Sequence, residues 1–295
     1  MEIIKGKQKQ PFNVILLGTP GVGKSTWASK APKPIFLGFE ETSELDVDRF
    51  PIPKTYTDFV GQLDYLTKAT SEYKTVVIDS IDTVERALHQ EIREKEDKPM
   101  AKCMGGYGAA YDYSELKLKT DVRDKLKYLR DVKGLNVILL GHVMTKTKTD
   151  PIQALTYDAH QPNLHTKAQN LFVDWAQCCF FATYVTSPIK DGNSDKVFAL
   201  GSGKRMLLCE ERPGVYAKNR YNMPYEVPFE FDVFLKYYED FYSGKELSPD
   251  ELRANITGIL STKDEKLKPK VIMAVEKAGQ DTRKLKDILE RVRNV

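Results

Sequence analysis

"NVILLGTPGVGKSTWASKAP", residues 13–32, carries the reading of the fold. Val14 to Leu17 form an apolar run of strand length, which breaks into glycines, a lysine and two hydroxyls before a helix-compatible stretch. Gly18, Gly23, Lys24 and Ser25 fit the spacing G-x-x-x-x-G-K-[ST], with Thr19, Pro20, Gly21 and Val22 between them and Thr26 behind. Glycines let such a loop wrap so that its amides, and the helix N-terminus that follows, point at one spot and favour phosphate there. In a loop of this kind Lys24 reaches the β- and γ-oxygens and Ser25 holds Mg²⁺. Residues Gly18 to Thr26 are therefore expected to cradle nucleotide phosphates.

The chain has 295 residues, enough for one large α/β domain and an appendage. Its 45 Lys and Arg against 42 Asp and Glu leave a net charge of +3, so overall charge argues for no particular partner and nucleic-acid contacts must come from local patches. Cys103, Cys178, Cys179 and Cys209 form no C-x-x-C pair and have no zinc-like histidine spacing, and read as reduced thiols. The opening "MEIIKGKQKQPF" lacks an apolar signal region, and no stretch approaches 18 apolar residues. A cytoplasmic protein with no membrane segment is expected.

Short apolar runs recur between helical patterns, the signature of a mainly parallel sheet flanked by helices. Strands are expected at 12–17, 34–39, 75–79, 136–141, 176–185, 196–200 and 205–210, and helices at 24–31, 57–69, 81–96 and 114–132. The last three strands have no helices between them, which predicts an antiparallel extension. Residues 97–113 and 142–167 fit neither period and are expected to be long functional loops. After Gly244 the character changes: Ser248 and Glu251 form a capping box around Pro249, and two more amphipathic pieces follow at about 269–278 and 282–294. The expected organisation is a core over 1–244 and a small helical tail over 245–295.

"TVVIDSID" puts Asp79 at the end of an apolar strand, where a carboxylate can assist the Mg²⁺ that Ser25 holds. Many P-loop motors place a water-activating Glu directly after this Asp, but here Ser80 follows. "PIFLGFEE" supplies the alternatives, Glu40 and Glu41, at the end of the strand after the P-loop helix.

A P-loop, a Glu ending the next strand, "VVIDS" and then "NVILLGH" occur in the order of the RecA core, which the chain resembles over roughly residues 10–235. With "KNRYNMPYEVPFEF" near the end of the sheet, it is similar to the short phage-encoded RecA-like ATPases of AAA-domain type, some of which are single-strand annealing recombinases. The resemblance implies Glu40 as the catalytic carboxylate, with Glu41 as runner-up, and His142 in place of a polar γ-phosphate sensor that is usually Gln. It also places DNA-binding loops at 97–113 and 143–166. There Tyr107, Tyr111 and Tyr113 are suited to stack bases, and Lys98, Lys102, Lys146 and Lys148 to meet phosphates.

Lys218 and Arg220 are spaced so that an extended strand would project both from one face. The pair resembles the K-x-R of hexameric RecA-like helicases, which implies a cation reaching a neighbouring subunit's site. The expectation is thus an ATP- and Mg²⁺-dependent ATPase that forms a homo-oligomeric ring or filament on single-stranded DNA, with a single-stranded DNA-binding protein as further partner. The alternatives are a P-loop DNA motor or helicase loader, a nucleotide-gated scaffold, and a small-molecule kinase, whose Arg-rich lid is missing from the sequence.

Overall fold

In chain order the strands are β1 (Asn13–Gly18), β2 (Pro34–Leu37), β3 (Asp48–Arg49), β4 (Thr75–Ile78), β5 (Asn136–Gly141), β6 (Val143–Thr149), β7 (Thr156–Pro162), β8 (Cys178–Lys190), β9 (Val197–Leu208) and β10 (Glu226–Pro228). The computed structural model describes residues 3–70, 72–150, 154–190, 197–244, 247–260 and 267–293. The main sheet runs β10-β9-β8-β1-β5-β4-β2-β3, parallel from β8 to β3 and extended by antiparallel β9 and β10. This is the expected α/β architecture. The parallel strands bring their carboxyl ends, Gly18, Leu37, Ile78 and Gly141, to one edge, where open α/β sheets bind ligands.

Past their first residues, Asn13, Thr75 and Asn136, strands β1, β4 and β5 are apolar because helices cover both faces. Successive residues of β1 point to opposite sides. Ile15 and Leu17 pack with Phe59, Leu63, Val84, Leu126 and Phe172, while Val14 and Leu16 pack with Trp27, Phe231, Phe234 and Tyr238. The helices of the first face are α2 (Tyr56–Lys68), α3 (Ile81–Glu96), α4 (Ala109–Lys117), α5 (Asp124–Asp131) and α6 (Thr166–Trp175); the second carries α1 (Lys24–Ala28) and α7 (Phe231–Ser243).

Four expectations change. The P-loop helix is only five residues long, so its dipole adds little. The helix expected at 114–132 begins at Ala109 and passes through a π-helical turn, Leu118–Arg123, before α5. Within 142–167, β6 pairs antiparallel with β7, with Lys146 opposite Ala159 and Lys148 opposite Tyr157. The β6 alternation "TKTKT" is strand-like but polar on both faces, and so gives no apolar period to read. The strands expected at 196–200 and 205–210 are one strand, β9, running through Gly201 and Gly203; the register shifts opposite this stretch, between Tyr184 and Thr186, as glycines within strands often mark.

The tail has α8 (Pro249–Leu260), α9 (Lys268–Ala278) and α10 (Thr282–Arg293), with a shared cluster including Leu252, Ile256, Leu285 and Leu289. The Ser248 amide donates to Glu251 Oε2 at 2.9 Å and the Glu251 amide to Ser248 Oγ at 3.3 Å, a reciprocal cap. Lys236 pairs with Glu251, and Arg212 donates to the Gly258 carbonyl at 3.1 Å, joining the tail to the sheet domain. No helix among the described residues is long and apolar enough to cross a membrane.

Candidate nucleotide-binding site

The loop after β1 turns on Gly21 and Gly23, whose φ angles of +76° and +97° suit glycine. Lys24 is buried, and its ammonium donates to the carbonyls of Gly18 and Thr19 at 3.0 and 3.1 Å, so it lies back across the loop it belongs to. Burial pulls this ammonium below its usual pKa range, against the opposing pull of Asp79, Asp82 and Glu40. Ser25 Oγ donates to Asp79 Oδ2 at 2.6 Å. Burial pushes the Asp79 carboxyl up, and the Ser25 hydrogen bond partly offsets it.

The end of β2 closes on the same corner. A Cβ on Gly38 (φ +138°) would lie 2.0 Å from the Asp79 carbonyl oxygen, so only glycine allows this approach. The Glu40 amide donates to that carbonyl at 3.2 Å, and Ser80 Oγ donates to Glu40 Oε1 at 3.1 Å. Glu41 faces its own turn instead: Oε1 accepts from the amides of Thr42 and Ser43 at 3.1 and 2.9 Å, and the Ser43 bonds hold its carboxyl below the usual range. Lys24, Ser25, Asp79, Ser80 and Glu40 thus share one corner at the carboxyl edge. An oxygen-only pair, the Ser25 hydroxyl and the Asp79 carboxylate, suits Mg²⁺, which takes few protein ligands beside phosphates and waters. Among the described residues no larger cluster of metal-binding side chains occurs.

The sequence profile of the AAA domain matches residues 10–221. The chain belongs to this AAA-domain family. With the P-loop geometry above, it is a P-loop ATPase of that type. No curated protein matches the chain. The crystal structure of flagellar accessory protein FlaH from Methanocaldococcus jannaschii is similar over 72% of this chain and 91% of FlaH, at 10% identity and a TM-score of 0.30.

In this AAA-domain protein α3 connects the corner to both segments expected to be DNA-binding loops. Asp82, fully buried, accepts from the His142 amide at 3.0 Å and lies 3.2 Å from His142 Nδ1 and from Arg86 Nη2. Burial alone would raise Asp82; the His142 bonds outweigh it and hold the carboxyl low. One turn on, buried Glu85 accepts from the His165 amide at 2.9 Å. The two ends of the β6–β7 hairpin are therefore both tied to acids of α3. His89 Nε2 lies 2.9 Å from Ser114 Oγ and 3.9 Å from Glu85 Oε1, yet burial lowers its imidazole to about 4, so the latter contact is not an ion pair at neutral pH.

Sequence reading missed Asp82 and Glu85, because acids on a helix ordinarily mark its wet face. It also missed Tyr184 and Arg205. These face each other across β8 and β9 and donate to the P-loop carbonyls of Gly21 and Val22, each at 3.2 Å.

The expected DNA contacts divide. Tyr107 stands fully exposed in a left-handed conformation (φ +52°) among Gly105, Gly106 and Gly108, and Lys102 is exposed nearby. Tyr113 is partly exposed, and Lys98 lies 3.5 Å from Glu96. Tyr111 is half-buried: its ring stacks on His165 with centroids 4.3 Å apart and planes within 9°, packing α4 against the hairpin root, where Asp112 also pairs with Lys167. Lys146 and Lys148 share one side of the hairpin, with Lys148 5.7 Å from the Tyr216 ring.

Lys218 lies against the end of α6. Its ammonium donates to the carbonyls of Val173 and Asp174 at 2.7 and 3.3 Å, closing the C-terminus of α6, where a cation is favoured. Arg220 is exposed. Both residues lie beside Cys178 and Cys179, which pair with Val14 and Ile15 near the start of β1. That is the end of the strand away from the chain's own P-loop.

Proposed function

We propose that this ATPase is a RecA-like protein that binds single-stranded DNA, assembles on it as a homo-oligomeric ring or filament, and serves recombination or strand annealing of the kind phages encode. The observation behind this reading is the rooting of the hairpin. Its first strand begins one residue beyond His142, and His142 is bonded to Asp82, two residues past Ser80 and the Glu40 corner. A segment with two lysines on one side is thus mechanically continuous with the phosphate site. Occupancy of that site can bias the hairpin, and DNA on the hairpin can bias the site in return.

In this reading Lys24 and the loop amides hold the β- and γ-phosphates of ATP. Ser25 and Asp79 would hold Mg²⁺, which would supply charge neutralisation to the phosphates. Glu40, oriented by Ser80, positions the attacking water and accepts its proton. Arg220 of a neighbouring copy supplies the second cation that phosphoryl transfer commonly uses. A single-stranded DNA-binding protein is a further partner by family analogy.

The test is ATP turnover with and without single-stranded DNA, with particle size read from the same samples. DNA is expected to raise the rate, and ATP to enlarge the particle. A rate indifferent to DNA, with phosphoryl transfer to a small molecule, would replace this reading with a kinase; directional unwinding would replace it with a motor.

A further inference from the structure

A cavity of about 750 Å³ lies beside the later turns of α3 and shares no lining residue with the P-loop. Its volume is within the roughly 300–1,000 Å³ range of small-molecule sites. α3 gives it Arg86, His89 and Arg93, the turn that follows gives Lys98 and Pro99, and α4 gives Tyr111. Of the residues expected to meet DNA only Lys98 and Tyr111 line it.

Arg86 and Arg93 are seven residues apart, so both side chains leave the same side of α3. Arg86 donates to the Asp82 carbonyl from Nε at 3.4 Å and to Asp82 Oδ2 from Nη2 at 3.2 Å, which engages two of the five guanidinium donors. The rest face outward, for 63% of the side chain is exposed. Arg93 is exposed, and among the described residues its guanidinium has no partner. Three cations, Arg86, Arg93 and Lys98, stand against two acids, Glu94 and Asp97, and leave the cavity positive. Its back is uncharged at neutral pH: burial keeps the His89 imidazole neutral, and the Tyr111 ring meets it edge-on with centroids 5.7 Å apart.

We propose that this cavity is a second ligand site, separate from the P-loop, that takes a phosphorylated small molecule of mononucleotide size and reports its presence to the β6–β7 pair. Guanidinium groups with open donors favour phosphate, whose oxygens they grip through paired N–H bonds. A bare phosphate would fill little of the volume, and the uncharged surface of Gln90, His89 and Tyr111 suits a sugar and a ring. The same walls reach both ends of the strand pair. Arg86 shares Asp82 with His142, just before β6, and Tyr111 stacks on His165, just after β7. The amide and ring of His142 keep Asp82 engaged without the arginine, so a ligand phosphate can draw Arg86 outward. None of these residues belongs to the ATP site, so the inference goes beyond the ATPase reading and does not rest on it.

The full-length protein is first saturated with a non-hydrolysable ATP analogue and Mg²⁺, which fills the P-loop, and is then titrated calorimetrically with AMP. The wild type is expected to bind one further AMP. Arg93→Gln and Arg86→Gln should bind it about tenfold or more weakly, the size of one charge-assisted bond, with affinity for the analogue unchanged. Imidazole ¹H–¹⁵N spectra read the link: AMP should shift His89 in the cavity and also His142 and His165 behind it, in the wild type and not in Arg93→Gln. Absence of further AMP binding, or equal binding by the wild type and both variants, overturns the site. So does an equal loss for AMP and the analogue, which would mean that both probes read the P-loop. Shifts confined to His89 overturn the report to the strands. Single-stranded DNA weakened by Arg93→Gln, with no AMP bound, gives this wall to DNA and overturns the small-molecule site. An analogue that fails to bind contradicts the ATP reading alone, and the AMP titration still decides the cavity.

Discussion

Ser25 Oγ and Asp79 Oδ2, 54 positions apart in the chain, lie 2.6 Å from each other at the carboxyl edge of the sheet. The contact joins the P-loop to the end of β4, and it sets a buried carboxylate against a hydroxyl in a place where burial already disfavours charge. Stability and function should therefore part company at Asp79. Asp79→Asn removes a charge that is costly to bury, so the melting temperature is expected to stay level or rise by a few degrees, while Mg²⁺-dependent turnover is lost. Thermal denaturation and an ATPase assay on the same preparation check both halves.

Glu85 provides the pH prediction. Burial pushes its carboxyl up to about 7 from 4.5, although the His165 amide donates to it. Between those values the unfolded chain releases the proton while the folded one keeps it, so stability falls as pH rises across the window and levels off above pH 7. The total is on the order of 3 kcal/mol. Urea denaturation at intervals from pH 4.5 to 8 should show this slope in the wild type and a flatter line in Glu85→Gln.

The hairpin lysines and the exposed tyrosine should weaken single-stranded DNA binding in different ways. If the proposed DNA contacts hold, replacing Lys146 and Lys148 with Ala should reduce the slope of log affinity against log salt by about 1.4. Tyr107→Ala should cost about 1–3 kcal/mol of binding with the slope preserved, because stacking releases no counterions. Fluorescence anisotropy over a salt series separates the two. Unchanged affinity in both variants would detach these segments from DNA.

Lys218 and Arg220, two residues apart, are expected to differ in kind. Lys218→Ala uncaps α6 and should lower stability by about 1 kcal/mol, with activity per folded molecule largely kept. Arg220→Ala should bind ATP normally but lose hydrolysis, and mixing it with Glu40→Gln should restore some turnover at interfaces that pair an intact arginine with an intact site. No recovery in mixtures whose subunits demonstrably exchange would count against action in trans.

Local signals made much of this architecture readable. The P-loop spacing, the apolar runs of β1, β4 and β5, and the cap at Ser248 each depend on neighbours in sequence. What escaped depends on distant partners. Arg205 meets Val22 across 183 positions, and no local pattern announces it. Asp82 and Glu85 look like the wet face of α3 until the hairpin ends fold onto them. Strand β6 hides because alternating Thr and Lys give a period of two without an apolar face. Tyr111 and Lys218 were legible as residue types, but their interior partners, His165 and the end of α6, come only with the tertiary fold.

The central claim is that Glu40, held beside Ser80 and Asp79, carries hydrolysis, whereas Glu41 is engaged by the amides of Thr42 and Ser43. Single-turnover ATP hydrolysis by Glu40→Gln and Glu41→Gln tests it most directly, with ATP affinity measured alongside. The account predicts that Glu40→Gln binds ATP like the wild type and hydrolyses it about 10²-fold or more slowly, while Glu41→Gln stays near the wild-type rate. Wild-type hydrolysis by Glu40→Gln, or the loss falling on Glu41→Gln instead, would contradict it.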